Sequence, residues 1–308
     1  MLTRAPSAPL WHPRYCLTWL GFSLLALLAQ LPFRLQLWLG RCLGRLAYCL
    51  VKSRRRIAQQ NIALCFPEKS ALEQKALVIA HFEANGMALF EMGMAWFMPY
   101  WRLKKRFVIK GQAHWEQLRR QGTGALIITI HFTTLEIANV AINRLFNMYM
   151  SYRPHKNPVY DLIQRWGRER HNANSAVIAH RDIRGMVKAL KQGDWLWYAP
   201  DQDYGRSVSA FVPWFGVETA TVAAPPRLLR MAKVPAVAMA YRHLPDFSGY
   251  EIEFMPVFEG IPSGDDYADL LRINQHIETC VRNNPAEYLW VHRRFKTRPD
   301  GEATLYGA

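Results

Sequence analysis

The sequence lacks the short motifs that mark several large enzyme classes. It has no Gly-x-Ser-x-Gly elbow, no phosphate-cradling Gly-Lys-Ser or Gly-Lys-Thr loop, no His-Glu-x-x-His and no dinucleotide fingerprint. A covalent acyl-serine route is therefore unsupported, as are P-loop, zincin and nicotinamide chemistry. Cysteine is scarce: five residues, Cys16, Cys42, Cys49, Cys65 and Cys280, odd in number and never spaced as a metal or redox pair. That pattern argues against a disulfide framework or a zinc site and suits a reducing cytosol. Acidic residues are also few, 24 Asp and Glu against 39 Lys and Arg, for a formal charge of +15. So large an imbalance implies anionic partners: nucleic acid, acidic lipid or an acidic carrier protein. Internal repeats and low-complexity tracts are absent as well.

The longest charge-free stretch near the N-terminus runs from Tyr15 to Phe33, between Arg14 and Arg34. It is about one bilayer crossing in length and has no small-residue cleavage site, so the expectation is an uncleaved membrane-anchoring helix. Beyond it, Arg34, Arg41, Arg45, Lys52 and Arg54-Arg55-Arg56 outnumber Arg4 and Arg14. The positive-inside rule then leaves everything downstream in the cytoplasm. Leu35 to Val51 mixes apolar residues with Arg41 and Arg45 one helical turn apart, which fits an interfacial helix with its arginines at the headgroups. The alternative is a buried first helix of the globular domain. The chain thus divides into an anchor and interfacial helix over 1–50 and a catalytic domain over 51–308.

Lys52 to Trp96 carries helical periodicity, broken at Phe66-Pro67 and again at Met98-Pro99. From Phe107 strands and helices alternate. Strands are expected near 108–109, 125–130, 149–152, 176–178 and 195–198, with helices over 113–120, 134–145, 157–170 and 182–191. Such alternation predicts an α/β fold, a mostly parallel sheet flanked by helices, with its site at the carboxyl ends of the strands.

That rule collects the polar candidates. His131 follows the apolar run Ala125–Ile130, Arg153 follows the next strand, and Asp201 and Asp203 follow Trp195–Tyr198. Arg168 lies on the helix between. His131 and Glu136 are five residues apart, wrong for one face of a straight helix, so they meet only if the chain bends near Phe132-Thr133. Glu136 would then orient and charge-stabilise the imidazole. Thr133 and Glu136 also stand at capping-box spacing, which makes the glutamate merely a cap. Asp201 and Asp203 without a third oxygen ligand form a weak magnesium motif, and Asp201 serves equally well as a turn cap. With no nucleophile elbow present, a general base acting on a hydroxyl substrate fits best, a role that supplies typically about 10²–10⁴ in rate.

Taken together, several segments resemble the late, secondary acyltransferases of lipid A biosynthesis, within the lysophospholipid acyltransferase superfamily. They are Asn61–Glu68, His131–Glu136, Tyr152-Arg153-Pro154 with Asn157-Pro158, Trp166-Gly167-Arg168, Trp197–Asp203, Phe211-Val212-Pro213 and Leu289–Pro299. The resemblance implies transfer of a fatty acyl group, lauroyl-type, from acyl carrier protein to the hydroxyl of a 3-hydroxyacyl chain of a Kdo-lipid A precursor. It also implies work at the cytoplasmic face of an inner membrane, without cofactor, metal or nucleic acid. His131 would be the base and Glu136 its support. Arg168 and Asp201 would bind anionic substrate groups or shape the site, Arg153, Arg293 and Arg294 would contribute to substrate binding, and anionic membrane lipid would be drawn to the same basic surface. Ile130 and Glu136 stand where the glycerolipid branch has Asn and Asp, which favours the lipid A branch. The segment Thr219–Pro226 departs from the expected pattern by ending in two prolines. A glycerolipid acyltransferase and a non-catalytic, membrane-anchored anion binder are the competing classes.

Overall fold

The computed structural model describes residues 9–306. Its first third is helical: α1 (Cys16–Leu28), α2 (Phe33–Leu50), α3 (Lys52–Cys65), α4 (Ala71–Phe97) and the single turn α5 (Tyr100–Leu103). Phe66-Pro67 and Met98-Pro99 interrupt the helices as expected, because a proline disfavours helical backbone at the residue before it. The α/β portion continues with β1 (Phe107–Lys110), α6 (Gln112–Arg120), β2 (Ala125–Ile128), α7 (Leu135–Ile142), β3 (Met148–Tyr152), α8 (Pro158–Glu169), β4 (Ala176–Ala179), α9 (Ile183–Lys191) and β5 (Trp195–Tyr198). Then come β6 (Ser209–Trp214), β7 (Val217–Val222), α10 (Ala224–Ala232), β8 (Ala236–His243), β9 (Tyr250–Val257) and α11 (Asp266–Asn283).

Seven strands form one sheet in the order β1-β9-β8-β2-β5-β3-β4, and β6 and β7 form a separate antiparallel hairpin. Every pairing in the large sheet is parallel except β8 with β9. β2 and β5 lie at its centre, with every side chain buried, as expected of strands covered on both faces. The two prolines at the end of 219–226 prove compatible with a helix. Pro225 and Pro226 fall in the first turn of α10, where their missing N–H groups would have no intrahelical partner.

The N-terminal expectation needs correcting. Among the described residues no helix is long and apolar enough to cross a membrane. α1 has 13 residues, about 20 Å at 1.5 Å each, against a hydrocarbon core of about 30 Å. The apolar run is split by a turn before Pro32, and buried Gln36 holds that turn by donating to the carbonyls of Ala29 (3.1 Å) and Leu31 (2.8 Å). α1 then lies on α4 and α8 through Phe22 and Leu25, with Asn157 Nδ2 donating to Thr18 Oγ1 at 2.8 Å. α2 packs closely on α4, because a Cβ at Gly86 would collide with the Gly40 carbonyl oxygen. Two of the arginines of α2, Arg41 and Arg45, are engaged by protein groups. Arg45 pairs with Glu83 at 2.6 Å, and Arg41 stacks over the Phe247 ring at 3.9 Å. Arg4, one of the two charges counted before the run, lies outside the described residues.

Buried and half-buried histidines shape the pH response of this fold. Burial pushes His81 and His276 down to about 4 from 6.5, the carbonyl of Ala286 only partly offsetting this for His81. Burial alone would lower His243 too, but the carboxylates of Glu91 and Glu287 outweigh it and raise it to about 10. His81 and His276 take up protons mainly on unfolding between about pH 6.5 and 4, so stability falls as pH drops through that window. His243 keeps its proton in the folded chain up to about pH 10, so stability falls as pH rises from about 6.5 to 10. A plot of Tm against pH should therefore peak near about pH 6.5, and His276→Gln should flatten its acid limb. A parental Tm that stays level from pH 4 to 7 would contradict the assignment.

Candidate active site

β2 and β5 are parallel neighbours with Ile128 opposite Tyr198. Three residues past each of those positions stand His131 and Asp201, and the two meet. His131 donates its backbone N–H to Asp201 Oδ2 at 3.0 Å, and its Nδ1 lies 2.6 Å from Asp201 Oδ1. Chain direction beyond β2 is held by the Thr129 N–H donating to the Tyr198 carbonyl at 3.1 Å and by the Tyr241 hydroxyl donating to the Ile130 carbonyl. Asp201 is buried, and burial by itself would raise its pKa. The charge and hydrogen bonds of His131, with Arg294 nearby, outweigh that and hold the carboxyl below its usual range. An ionised Asp201 accepts a hydrogen bond from Nδ1–H of a neutral imidazole, fixing the tautomer that leaves the lone pair on Nε2.

His131 lines a cavity of about 610 Å³. Its apolar wall is built by Ile183, Trp197, Val208, Val222, Leu228 and Met231, and its polar groups come from His131, Ser151, His180, Arg181, Tyr204 and Arg227. That volume lies inside the range of about 300–1,000 Å³ typical of ligand pockets. Arg153 follows β3, is exposed, and lies close enough to His180 and Tyr204 to influence their ionisation.

Glu136 occupies the first turn of α7, and its carboxylate is engaged away from the imidazole. Oε2 accepts from Trp96 Nε1 at 3.0 Å, and Arg168 donates through Nε at 3.1 and 3.2 Å and through a second nitrogen. Arg168 is mostly buried; burial would lower its pKa, and Glu136 more than restores it. Gly167 lets α8 approach so closely, since a Cβ there would enter the Trp96 ring. The capping box does not form either. Thr134 is the N-cap residue, without a side-chain cap bond, and Thr133 Oγ1 is buried without a partner. Asp201 thus holds the place beside His131 that the sequence spacing had assigned to Glu136.

The remaining candidates scatter. Arg168 is committed to Glu136 and Asp201 to His131, so neither is free as a substrate anchor. Arg294 is 1% exposed, donating to the Ala220 carbonyl at 2.6 Å and Thr221 Oγ1 at 3.0 Å. Surface contact with an anion is closed to it, and that expectation is corrected. Arg293 is exposed next to the Tyr306 ring. Asp203 is spent on its own loop and on the C-terminal segment, accepting from Gly205 N at 2.8 Å and from Thr297 N at 2.6 Å. Sequence reading missed Trp96, Tyr241 and Tyr288, whose hydroxyl donates to the Asp201 carbonyl at 3.2 Å. The one available signal was the equal offset of His131 and Asp201 from two central strands.

Comparison with known proteins finds similarity along nearly the whole chain. The family described as bacterial lipid A biosynthesis acyltransferase matches residues 6–297. The chain is 41% identical to the lipid A biosynthesis lauroyltransferase of Escherichia coli K12, over 97% of this chain and 98% of that protein. It is 40% identical to the palmitoleoyltransferase of the same strain, over 96% of each chain. With the myristoyltransferase of that strain it shares 30% identity, over 96% of this chain and 91% of the other.

Two substitutions separate the roles of the acids. Asp201→Asn should fold and lose about 10²–10⁴ in turnover, because the amide no longer fixes or charge-balances the imidazole. Glu136→Ala should instead lose about 3–5 kcal/mol of stability in denaturant unfolding, by leaving mostly buried Arg168 unpaired. Parental turnover in Asp201→Asn, or parental stability in Glu136→Ala, would reverse the respective assignment.

Proposed function

The chain belongs to the bacterial lipid A biosynthesis acyltransferases and is an acyltransferase; from that membership we propose that it moves a fatty acyl group, lauroyl-type, from acyl carrier protein to the hydroxyl of a 3-hydroxyacyl chain of a Kdo-lipid A precursor, with His131 as general base. The observation that carries this reading is His131, tied through Nδ1 to buried Asp201, on the wall of a largely apolar cavity. Nε2 removes the proton of the acceptor hydroxyl as its oxygen attacks the thioester carbonyl. The tetrahedral intermediate collapses with loss of the carrier thiolate, which takes the proton from the imidazolium. Asp201 stabilises the imidazolium while it exists. Glu136 acts one step removed, pinning α7 to α8 and α4 through Arg168 and Trp96.

The apolar wall suits the acyl chain, each buried methylene contributing about 0.8 kcal/mol. The net charge of +15 suits an acidic carrier, a phosphate- and carboxylate-bearing acceptor and anionic inner-membrane lipid. On the cytoplasmic face of that membrane the helices α1 and α2 lie on the bilayer instead of crossing it. α1 turns Leu17 (83% exposed), Leu20, Leu24 and Leu27 outward, and α2 exposes Trp38 (59%) and Leu46.

Mass spectrometry of products formed from a Kdo-lipid A precursor and a panel of acyl carrier protein thioesters tests the reaction. The expected result is one added acyl chain, most abundant with the lauroyl donor. Acylation of lysophosphatidic acid alone would favour the glycerolipid alternative, and binding without any product the non-catalytic one. Co-sedimentation with anionic vesicles tests the docking face: the doubly substituted Leu20→Glu, Leu24→Glu chain should remain largely in the supernatant. Undiminished sedimentation of that variant would place the contact elsewhere.

A further inference from the structure

The molecule contains a second histidine paired with carboxylates, this one buried and held between two of them, remote in sequence from the first. His243, the last residue of β8, places Nε2 2.5 Å from Glu91 Oε1 and Nδ1 3.0 Å from Glu287 Oε1. Tyr250 donates its hydroxyl to the same Glu91 oxygen at 2.8 Å. All three members of the Glu91–His243–Glu287 chain are buried, and the cavity described above is lined by none of them. So costly an arrangement calls for a reason beyond packing, since apolar residues of similar volume would often be as stable or more so.

The reason lies in what Glu287 holds. Its carbonyl accepts from the Thr133 N–H at 2.8 Å, and its Oε2 accepts from Thr134 Oγ1 at 3.1 Å. The next two residues complete the grip: Tyr288 bridges Phe132, and the Leu289 N–H donates to the His131 carbonyl at 3.2 Å. Every residue from His131 to Thr134 therefore has a tie to the 287–289 segment. That segment is itself fixed to α4, by His81 Nδ1 at 3.2 Å from the Ala286 carbonyl and by Glu91 through His243.

We propose that Glu91, His243 and Glu287 are positioning residues, which set the location of the His131 backbone and so of Nε2 relative to the acceptor hydroxyl. This rests on the reading of His131 as the base. At neutral pH His243 carries its proton and bridges both carboxylates. Asp201 orients the ring of His131, and the 287–289 segment, secured by His243, places its main chain. A displacement of about 1 Å at a reacting group can cost about 10²-fold in rate, so a rigid, buried tether has value there.

The experiment measures kcat and KM for donor and acceptor in His243→Gln and in Thr134→Val. The second leaves the charged chain intact and removes only the hydroxyl tie. A low-field proton resonance from His131 Nδ1, recorded on the same samples, reports the His131–Asp201 geometry. His243→Gln should lower kcat about 10²-fold with both KM values within about twofold of parental, and should shift or broaden the low-field resonance. Thr134→Val should do the same to a smaller degree, and His243→Gln added to His131→Ala should slow the reaction no further. Parental kcat in folded His243→Gln with an inactive His131→Ala would overturn the positioning role alone. An active His131→Ala would overturn the base assignment beneath it. If His243→Gln fails to fold, Thr134→Val decides: a parental kcat and an unmoved resonance overturn the proposal.

Discussion

A carboxylate as buried as that of Asp201 stays ionised here because His131 meets it twice, once with its backbone N–H and once with its ring. Desolvation would otherwise raise the acid until it accepted a proton and lost its ability to orient the imidazole. The double contact depends in turn on the parallel register of β2 and β5, which carries both chains out of the sheet in step. A one-residue slip would exchange the faces of every side chain on β2 and send His131 away from the acid. The buried apolar side chains of these two strands, Ile127, Ile128, Leu196 and Trp197 among them, enforce the register.

Around this pair the chain places further buried ions, each with a partner of matching chemistry. Glu136 and Arg168 join α7 to α8, Glu91 and Glu287 enclose His243, and Arg294 finds carbonyl and hydroxyl acceptors on β7. Removing one member of such a set leaves an unpaired buried charge, which generally costs more than the pair contributes. The site is thus surrounded by contacts with little tolerance for displacement. Asn61 extends the same logic to the C-terminal segment, donating to the carbonyls of Trp290 (2.6 Å) and His292 (2.8 Å) and accepting from the Tyr306 hydroxyl.

Much of this was legible in the sequence where side-chain periodicity and chain order determine structure. The strands at 125–130, 149–152, 176–178 and 195–198 lie where the apolar runs place them, and the His131–Asp201 pair follows the carboxyl ends of two of them. β8 and β9, which widen the sheet, went unread, as did the β6–β7 hairpin. The N-terminal run misled because hydropathy counts apolar residues without showing which of them face protein. Gln30 and Pro32 inside the run were the local sign of a turn. Glu136 misled for a related reason: five residues of sequence separation outweighed a partner 70 residues away that only strand register brings close. Arg294, one cation in a basic tail, reads as surface because nothing in one dimension reveals acceptors 74 residues distant.

The central claim is that His131 and Asp201 work as one unit, and the most direct measurement is a double-mutant cycle on turnover. Transfer rates are compared for His131→Ala, Asp201→Asn and the chain carrying both, each verified as folded. Groups that act together lose their effect together, so the double variant should be no slower than His131→Ala alone. Losses that multiply, with the double variant slower by the product of the two single effects, would show that Asp201 contributes independently of the imidazole and would contradict the claim.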